Sequence, residues 1–405
     1  MRVLTVGNMY PPLHEGGYEL VWQAAVEYLR DRGHEVRVLA SDHRAAGPRP
    51  AELEVFRELQ WYWRDHDFPR LGARQRLRIE RHNAAVFDRH VRDLAPDVLG
   101  WWSMGGMSLG LVEQTRRAGY PAVAAVCEDW MLYAPTVDGW MRMFGPLRPV
   151  GALVERLTGL PTSVDLARIG PCLFPSETTR ERARARWVLD DTAVCHQGVS
   201  RELFAPAPGQ GWGWRLLYVG RIDPRKGIDL AIAALARLPA DASLTIAGTG
   251  DEKHRTDLLA LARSLGVADR VTFTSRPRTQ LGELYARADA VVFPVRWREP
   301  WGLVPLEAMS VGRPVVATGL GGSGEYLRDR ENCLIFDAAE GAAALAARVR
   351  ELAADPALRN RLRDGGFATA DRFGEHDFSR AFERLLGRSS ESRPRRPTPQ
   401  VPSAA

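Results

Sequence analysis

The stretch RWREPWGLVPLEAMSVGRPVVAT, residues 296–318, sets two carboxylates, Glu299 and Glu307, around a Pro-Trp-Gly corner. Pro305 fits the first turn of a helix that begins one residue earlier, because a proline there loses no helical hydrogen bond. We therefore expect Glu299 just ahead of this helix and Glu307 in its first turn, with the N–H groups of residues 301–304 directed at an anion. The two acids either complement the helix dipole only, or bind vicinal hydroxyls of a sugar.

A second loop, YVGRIDPRKGIDL, presents two cations, Arg221 and Lys226. Pro224 and Gly227 bend this loop, so that the two side chains can converge on one anion. A guanidinium fork beside a movable ammonium matches a diphosphate, whose charge is spread over several oxygens. A pair of solvated surface cations is the alternative that these residues leave open.

Two further loops carry weaker signals. Adjacent Gly16 and Gly17, in EGGYE, remove two Cβ atoms where a helix begins, which lets backbone N–H groups approach a phosphate or a sugar ring. A plain tight turn explains them equally well, since the loop matches neither the Walker nor the dinucleotide spacing. In IAGTGDEKH, Asp251 and Glu252 follow a strand, where they suit a base or ribose contact or a helix N-cap.

The elements that must position these loops are short apolar runs typical of buried parallel strands. The first βαβ unit consists of RVLTVG, an amphipathic helix and GHEVRVLAS, and the series continues with DVLGWW, YPAVAAVC and CLFPS. A second series of strands consists of WRLLYVGR, ASLTIAG, RVTFTS, AVVFPV and RPVVAT. This alternation predicts two parallel-sheet halves, whose ligands bind beyond the carboxyl ends of the strands. The Pro- and Gly-rich segment HQGVSRELFAPAPGQGWGWR places the boundary near residue 197.

Composition is consistent with this organisation. A chain of 405 residues exceeds what one hydrophobic core usually supports. The net charge of +5 is not concentrated in one run, so it suits anionic small molecules or membrane surfaces and does not require nucleic acid. We expect the four scattered cysteines, Cys127, Cys172, Cys195 and Cys333, to be reduced and mostly buried. The lack of a signal-peptide core and of an apolar window of about 18 residues predicts a soluble cytoplasmic protein.

Three regions carry expectations of their own. Residues 50–80 lack a clean strand, which fits an excursion packed on the first domain or a flap that binds an acceptor. We expect the Ser/Pro/Arg-rich residues 389–405 to form a disordered tail. The sequence shows no long amphipathic basic helix, which favours a soluble acceptor over a lipid. Six tryptophans could stack on an acceptor ring, although core packing explains most of them: Trp61, Trp63, Trp101, Trp102, Trp130 and Trp140.

Taken in order, EGGYE, GRIDPRKG, AGTGDE, REPWGLVPLEAMSVGRPVVAT and GGSGEYL resemble the retaining glycosyltransferases of family 4, within glycosyl transferases group 1. The resemblance covers residues 1 to about 388 and implies an α/β GT-B fold, with two facing Rossmann-like domains and a cleft between them. The expected domains are residues 1–196 for the acceptor and 197–371 for the nucleotide sugar, with a C-terminal helix over residues 372–388 that crosses back onto the first domain.

The resemblance also implies a role for each motif residue. Glu299 would bind hydroxyls of the donor sugar and Glu307 those of the ribose. Gly16 and Gly17 would close over the diphosphate from the opposite domain. The diphosphate itself would be held by two cations and by backbone N–H groups: Arg221, Lys226, Trp301, Gly302 and Leu303.

One position departs from the family pattern. Much of the family has His-Asp-x-Trp after the fourth strand of the first domain, with the His near the reacting carbon of the sugar. Here the stretch is AVCEDWMLYAP, so Cys127 stands in place of that His and is followed by Glu128 and Asp129. One of these acids could contact the sugar or the acceptor, or act as a general base, whereas a buried structural acid is the alternative.

The activity implied is transfer of a sugar from a nucleoside diphosphate sugar to an acceptor hydroxyl with retention of anomeric configuration. The acceptor is expected to be a small soluble molecule or natural-product intermediate, and no cofactor or metal is expected, since fixed positive charge can stabilise the leaving diphosphate. The alternatives are a sugar-nucleotide-binding protein that has lost its chemistry, and a lipid- or polysaccharide-directed transferase of the same fold. Membrane association is compatible with the sequence but not indicated by it.

Overall fold

The computed structural model describes residues 1–13, 16–43, 54–63 and 67–391. Within these residues the chain forms two parallel β-sheets, each covered on both faces by helices. The two sheets belong to separate α/β domains, and the GT-B architecture expected from the motifs is therefore observed.

The first sheet contains seven strands in the described residues, in the order β3-β2-β1-β4-β5-β6-β7. All of its pairings are parallel. Its strands are β1 (Arg2–Val6), β2 (Glu35–Ser41), β3 (Val55–Leu59), β4 (Val98–Trp101), β5 (Ala122–Ala125), β6 (Cys172–Phe174) and β7 (Thr192–Val194).

The second sheet has six strands in the part of the chain described, in the order β10-β9-β8-β11-β12-β13, again all parallel. Its strands are β8 (Arg215–Val219), β9 (Ser243–Ala247), β10 (Val271–Thr274), β11 (Ala290–Phe293), β12 (Val315–Ala317) and β13 (Leu334–Ile335). The order of each sheet reverses beside its first strand, which is the place where such sheets open a crevice for ligands.

The helices connect these strands. They are α1 (Tyr18–Asp31), α2 (Ala73–Leu94), α3 (Gly110–Arg117), α4 (Trp130–Val137), α5 (Met141–Phe144), α6 (Arg148–Thr158), α7 (Glu177–Arg186), α8 (Ile228–Leu235), α9 (Glu252–Ser264), α10 (Leu281–Arg287), α11 (Leu303–Val311), α12 (Gly341–Ala354), α13 (Pro356–Ala370) and α14 (Asp377–Glu391). In the ranges described, none of them is long and apolar enough to cross a bilayer.

Apolar runs form the centres of both sheets because helices exclude water from both faces. Residues 290–293 and 315–317 are fully buried, as continuous apolar strands of parallel sheets should be. Five of the six tryptophans considered as acceptor contacts lie in the core of the first domain and are at most 5% exposed: Trp61, Trp101, Trp102, Trp130 and Trp140. The sixth, Trp63, is partly buried and packs against this core. The core-packing interpretation is confirmed for these five.

The expectation that residues 50–80 contain no strand was wrong. Val55–Leu59 forms β3, an edge strand that pairs in parallel with β2. The sequence VFREL hides this strand because charged residues interrupt its apolar pattern, which is common at a sheet edge. Residues 73–80 begin α2, while residues 50–53 and 64–66 lie outside the described part of the chain.

Helix α14 returns to the first domain after the chain has completed the second. It contacts α1, β4 and β5. The rings of Phe378 and Phe382 lie 6.3 and 5.2 Å from that of Trp102, and Glu383 accepts a hydrogen bond from Arg32 at 2.8 Å. The helix extends to Glu391, so the first three residues of the expected tail are helical, and residues 392–405 lie outside the described residues.

The two domains also meet at the start of α7. The Glu325 carboxylate of the second domain accepts the N–H groups of Glu177 and Thr178 at 3.1 and 2.8 Å. These N–H groups belong to the first turn of α7, where no intrahelical acceptor exists. An acid from one domain therefore caps a helix of the other, with the favourable sign for the helix dipole.

Replacing Glu325 with Ala should loosen this junction. The loss of a capping carboxylate costs about 1 kcal/mol, which corresponds to roughly fivefold faster amide hydrogen exchange at Glu177 and Thr178. Hydrogen exchange measured by mass spectrometry tests this, with Glu283→Ala as the control because Glu283 is largely exposed and reaches only Arg287, at 3.9 Å. Unchanged protection of α7 in E325A would contradict the capping role.

Candidate active site in the interdomain cleft

A cleft of about 630 Å³ opens between the two domains, beyond the carboxyl ends of β8, β9, β10 and β11. In the described residues, four cationic and three carboxylic side chains line it: Arg221, Lys226, Arg276, Arg278, Glu128, Glu299 and Glu307. The cleft therefore combines excess positive charge with several hydrogen-bond acceptors. This is the chemistry of a site for a polyhydroxylated anion.

Glu299 and Lys226 form the central ion pair of the cleft. The Lys226 Nζ donates to both carboxylate oxygens, at 2.9 and 2.8 Å, and the Trp297 indole Nε1 donates to one of them at 2.6 Å. Both charged side chains are only 13–14% exposed. The expected convergence of Lys226 on the site is therefore observed, but its charge is shared with Glu299.

Glu307 lies in the second turn of α11 rather than the first, because the helix begins at Leu303. It is nearly fully buried and accepts a hydrogen bond from the Tyr285 hydroxyl at 2.7 Å. Arg278 forms an ion pair with it at 2.9 Å. The Glu307 carboxylate therefore does more than stabilise the helix dipole, since it is paired with side chains from other elements. It also lines the same cleft as Glu299.

The loop between β11 and α11 is fixed by backbone geometry that glycine permits. Gly302 adopts the left-handed region (φ 89°, ψ 86°) at the N-cap of α11. Gly321 pairs with Glu299 as an isolated parallel bridge, and a Cβ at Gly321 would lie 2.4 Å from the Glu299 carbonyl oxygen. The first N–H groups of α11 are therefore held at the cleft wall, where Trp301, Gly302 and Leu303 line it.

Arg221 follows β8 and lines the cleft close to Asp223, which it approaches at 3.4 Å. Burial raises the pKa of Asp223, but hydrogen bonds from Arg225 and the charge of Arg221 outweigh it and lower this pKa to about 2. Asp223 also caps the short helical turn Pro224–Lys226 by accepting the Arg225 N–H at 2.9 Å. Its carboxylate thus holds the loop that presents Arg221 and Lys226.

The first domain contributes the opposite wall. Gly16 and Gly17 are exposed at the start of α1 and line the cleft. A Cβ at Gly17 would lie 3.6 Å from the Leu303 side chain of the other domain, so the loop faces the start of α11 closely. Glu15, the first residue of the EGGYE motif, lies outside the described residues.

Cys127 and Glu128 also lie in this wall; the Cys127 side chain is buried and Glu128 is partly buried. Burial raises the pKa of the Cys127 thiol, so it remains protonated. Burial likewise raises the pKa of Glu128 to about 7, although hydrogen bonds from the Ser103 and Tyr133 hydroxyls, at 2.6 and 3.0 Å, partly oppose the shift. Glu128 can therefore exist in either protonation state near neutral pH.

The structure does not place every predicted residue in the cleft. Asp129 does not line it and instead forms an ion pair with Arg182 of α7, so a contact with sugar or acceptor was wrongly expected for it. Asp251 caps α9 by accepting the Lys253 N–H at 2.9 Å, and neither it nor Glu252 lines the cleft. Asp251 was predicted either to contact a base or ribose or to cap a helix, and the helix cap is the role observed.

Sequence reasoning missed several residues of the cleft, including Arg276, Arg278, Trp297 and Gln197. Arg278 follows β10, and the rule that ligands bind beyond the carboxyl ends of strands could have found its loop. Trp297 was overlooked although it lies two residues before Glu299. The Gln197 amide nitrogen is buried and makes no hydrogen bond of ordinary geometry in the described structure, although its side chain lies next to the Cys127 thiol. An unsatisfied buried donor in a cleft is a candidate ligand contact.

Comparison with known proteins supports a specific class. Residues 208–368 match the sequence profile of the family described as glycosyl transferases group 1. A D-inositol 3-phosphate glycosyltransferase of Xylanimonas cellulosilytica is 31% identical over 253 residues, which cover 62% of this chain and 55% of the relative. A glycogen synthase of Mycobacterium tuberculosis is 39% identical over 156 residues, 36% of this chain and 35% of the relative. The chain thus spans between about a third and about half of these relatives.

Solved structures match over the whole chain at low sequence identity. A sucrose-phosphate synthase from Thermosynechococcus elongatus has a TM-score of 0.74 at 21% identity, with 96% of this chain and 98% of the other covered. Anabaena HepE, in complex with UDP and glucose, has a TM-score of 0.69 at 20% identity, with 96% and 99% covered. These matches show that the chain has the GT-B fold.

Lys226 offers a direct test of anion binding. The chain contains only one other lysine, Lys253, which provides a matched control. Lys226→Ala removes a charge-assisted donor worth about 2–3 kcal/mol and leaves Glu299 facing the ligand unpaired. We expect the dissociation constant of UDP, GDP, ADP or dTDP, whichever binds most tightly, to rise about 30- to 100-fold in calorimetry. Lys253→Ala is the matched control, and unchanged affinity in K226A would show that Lys226 does not contact the diphosphate.

Proposed function

We propose that this protein transfers a sugar from a nucleoside diphosphate sugar to an acceptor hydroxyl, with retention of anomeric configuration. The observation that carries the proposal is the Lys226–Glu299 pair at the cleft wall, beside Arg221 and the N-terminus of α11. This arrangement brings cations and hydroxyl acceptors within one sugar-nucleotide length of each other. The group 1 family match over the same residues supports it.

The charges have a defined task in this reaction. The bond between the anomeric carbon and the phosphate oxygen breaks, and a bond from that carbon to the acceptor oxygen forms on the same face. Arg221, Lys226 and the first N–H groups of α11 stabilise the charge that develops on the departing diphosphate. The acceptor proton passes to the departing phosphate oxygen, so no protein nucleophile is required. We propose that the transfer is independent of metal, since this fixed positive charge replaces it.

The donor is expected to span the cleft between two carboxylates. Glu299 binds hydroxyls of the sugar and Glu307 those of the ribose, with the diphosphate between them at the start of α11. Arg278, already paired with Glu307 at 2.9 Å, borders the position of the base. HepE, which has the same fold, was solved with UDP and glucose, and this favours a uridine nucleotide as the first donor to test.

Cys127 stands where the family usually has a histidine near the reacting sugar, and we propose that the carboxyl of the next residue, Glu128, takes over the contact with the ligand. Its hydroxyl partners Ser103 and Tyr133 leave the second oxygen, Oε2, without a hydrogen bond in the described residues. We propose that this oxygen accepts a hydroxyl of the sugar or of the acceptor. Gln197 lines the same cleft, and its amide is a second candidate donor for the bound ligand. A small soluble acceptor with a polyhydroxylated ring, such as a natural-product intermediate, fits these polar contacts.

Glu299→Gln should abolish transfer without unfolding the protein. The amide keeps the shape of the carboxylate but cannot accept two charge-assisted hydrogen bonds, so we expect nucleoside diphosphate release from the preferred donor to fall at least 100-fold. Release can be followed without a known acceptor, through slow hydrolysis of the donor. Glu283→Gln serves as the control. Wild-type protein that binds nucleotide sugars but never turns them over would favour a binding protein, and near-normal turnover in E299Q would exclude the assigned role.

Glu128 predicts a pH dependence. If its ionised form accepts the ligand hydroxyl, kcat/KM should fall as pH drops below about 7, the pKa of the buried carboxyl. Glu128→Gln should lose this inflection and lower the high-pH value about tenfold. Because the pKa of Glu128 is higher in the folded protein than its ordinary value of 4.5, the folded state loses stability as pH rises from about 4.5 to about 7, so E128Q should melt no lower than wild type at pH 8. An unchanged pH profile would assign Glu128 a structural role.

A further inference from the structure

Helix α6 exposes an apolar stripe on the surface of the first domain. We define the α6 stripe as Leu147, Val150, Leu153 and Leu157, whose side chains are 54%, 47%, 58% and 75% exposed. In the described residues, nine large hydrophobic side chains are at least 37% exposed, and these four are the ones that cluster along one element, with Leu147 at the N-cap of α6 and the other three within the helix. Scattered exposed leucines need no explanation, whereas a cluster on one face indicates an interaction surface.

The stripe faces outward because the opposite side of α6 is fixed. Gly151 is buried, and a Cβ there would lie 2.9 Å from the Thr162 hydroxyl and 3.0 Å from Phe144. Val154 packs against the core of the first domain. With 3.6 residues per turn, Val150, Leu153 and Leu157 lie within an arc of about 60° away from this contact. The helix cannot rotate to bury them without losing the close approach at Gly151.

The charges around the stripe are of one sign. Arg148 and Arg156 on α6 and Arg142 on α5 are all exposed. The one carboxylate of α6, Glu155, is turned toward the protein, where it forms an ion pair with Arg117 and accepts the Thr162 N–H at 3.0 Å. The exposed side of this segment thus presents apolar and cationic groups together, the composition of helices that lie at the surface of an anionic bilayer.

We propose that the α6 stripe docks the first domain on an anionic membrane surface. The leucines enter the boundary between headgroups and acyl chains, and the arginines contact lipid phosphates. This goes beyond the proposed sugar transfer and does not depend on it. A second copy fits less well, since a stable dimer buries about 800 Å² on each partner and a two-fold axis would bring the arginines together.

The C-terminal tail of the same chain is also a poor occupant. Residues 392–405 contain three arginines and only one large aliphatic residue, Val401. Such a segment would bring like charge to the arginines of α5 and α6 and has little apolar surface to cover the leucines. Charge complementarity and apolar area therefore both favour the bilayer.

Vesicle co-sedimentation of the full-length protein tests the proposal. Vesicles of equal parts phosphatidylglycerol and phosphatidylcholine should carry down the wild type, and vesicles of phosphatidylcholine alone should bind it at least tenfold more weakly. Leu153→Glu with Leu157→Glu should reduce binding to the anionic vesicles at least tenfold. Arg148→Gln with Arg156→Gln should weaken it about fivefold for each charge removed.

Val188→Glu is the matched control, because Val188 is 81% exposed at a site away from α6. It should bind vesicles as the wild type does, and all variants should keep the wild-type affinity for nucleoside diphosphate, which shows that the fold is intact. Failure of the wild type to bind anionic vesicles, or equal binding by the doubly substituted leucine variant, overturns the proposal. A wild-type dimer in size-exclusion chromatography that this variant converts to monomer assigns the stripe to a second copy instead.

Discussion

The ion pair between Lys226 and Glu299 is the interaction on which the candidate site depends. It joins the loop after β8 to the loop after β11, and these strands are neighbours in the second sheet. Because both side chains are largely buried, removing either would leave an uncompensated charge in the cleft. The pair therefore fixes the relative position of two loops that the chain separates by more than seventy residues, and Trp297 restricts its geometry further.

The same loop also connects the site to the junction between the domains. The Pro300 carbonyl, one residue beyond Glu299, accepts hydrogen bonds from the Ser176 and Thr179 hydroxyls at 2.5 and 3.1 Å. Trp301 next to it stacks on His196, with ring centroids 4.3 Å apart. A displacement of Glu299 is thus transmitted to the contact between the domains. Domain closure that excludes water would act on the carboxylate proposed to hold the sugar.

The two walls of the cleft have different electrostatic characters. The second domain presents three cations already paired with carboxylates, Arg221, Lys226 and Arg278, so ligand binding to them exchanges one set of charge-assisted interactions for another. The first domain presents Glu128, whose pKa burial raises to about 7, among neutral hydroxyls. This difference fits the proposed transfer, in which one wall would hold a charged diphosphate and the other uncharged hydroxyl groups.

The sequence by itself determined the two parallel sheets, because continuous apolar runs form buried strands wherever helices cover both faces. It also determined that four candidate site residues follow such strands: Glu299, Glu307, Arg221 and Lys226. It could not reveal β3, whose edge position tolerates charged residues, nor the raised pKa of Glu128, which results from the removal of its carboxyl from solvent by packing in the folded protein. Only the tertiary structure excluded Asp129 from the cleft and turned the α6 stripe outward. Those outcomes depend on which distant elements pack against a residue, and local sequence carries no record of that packing.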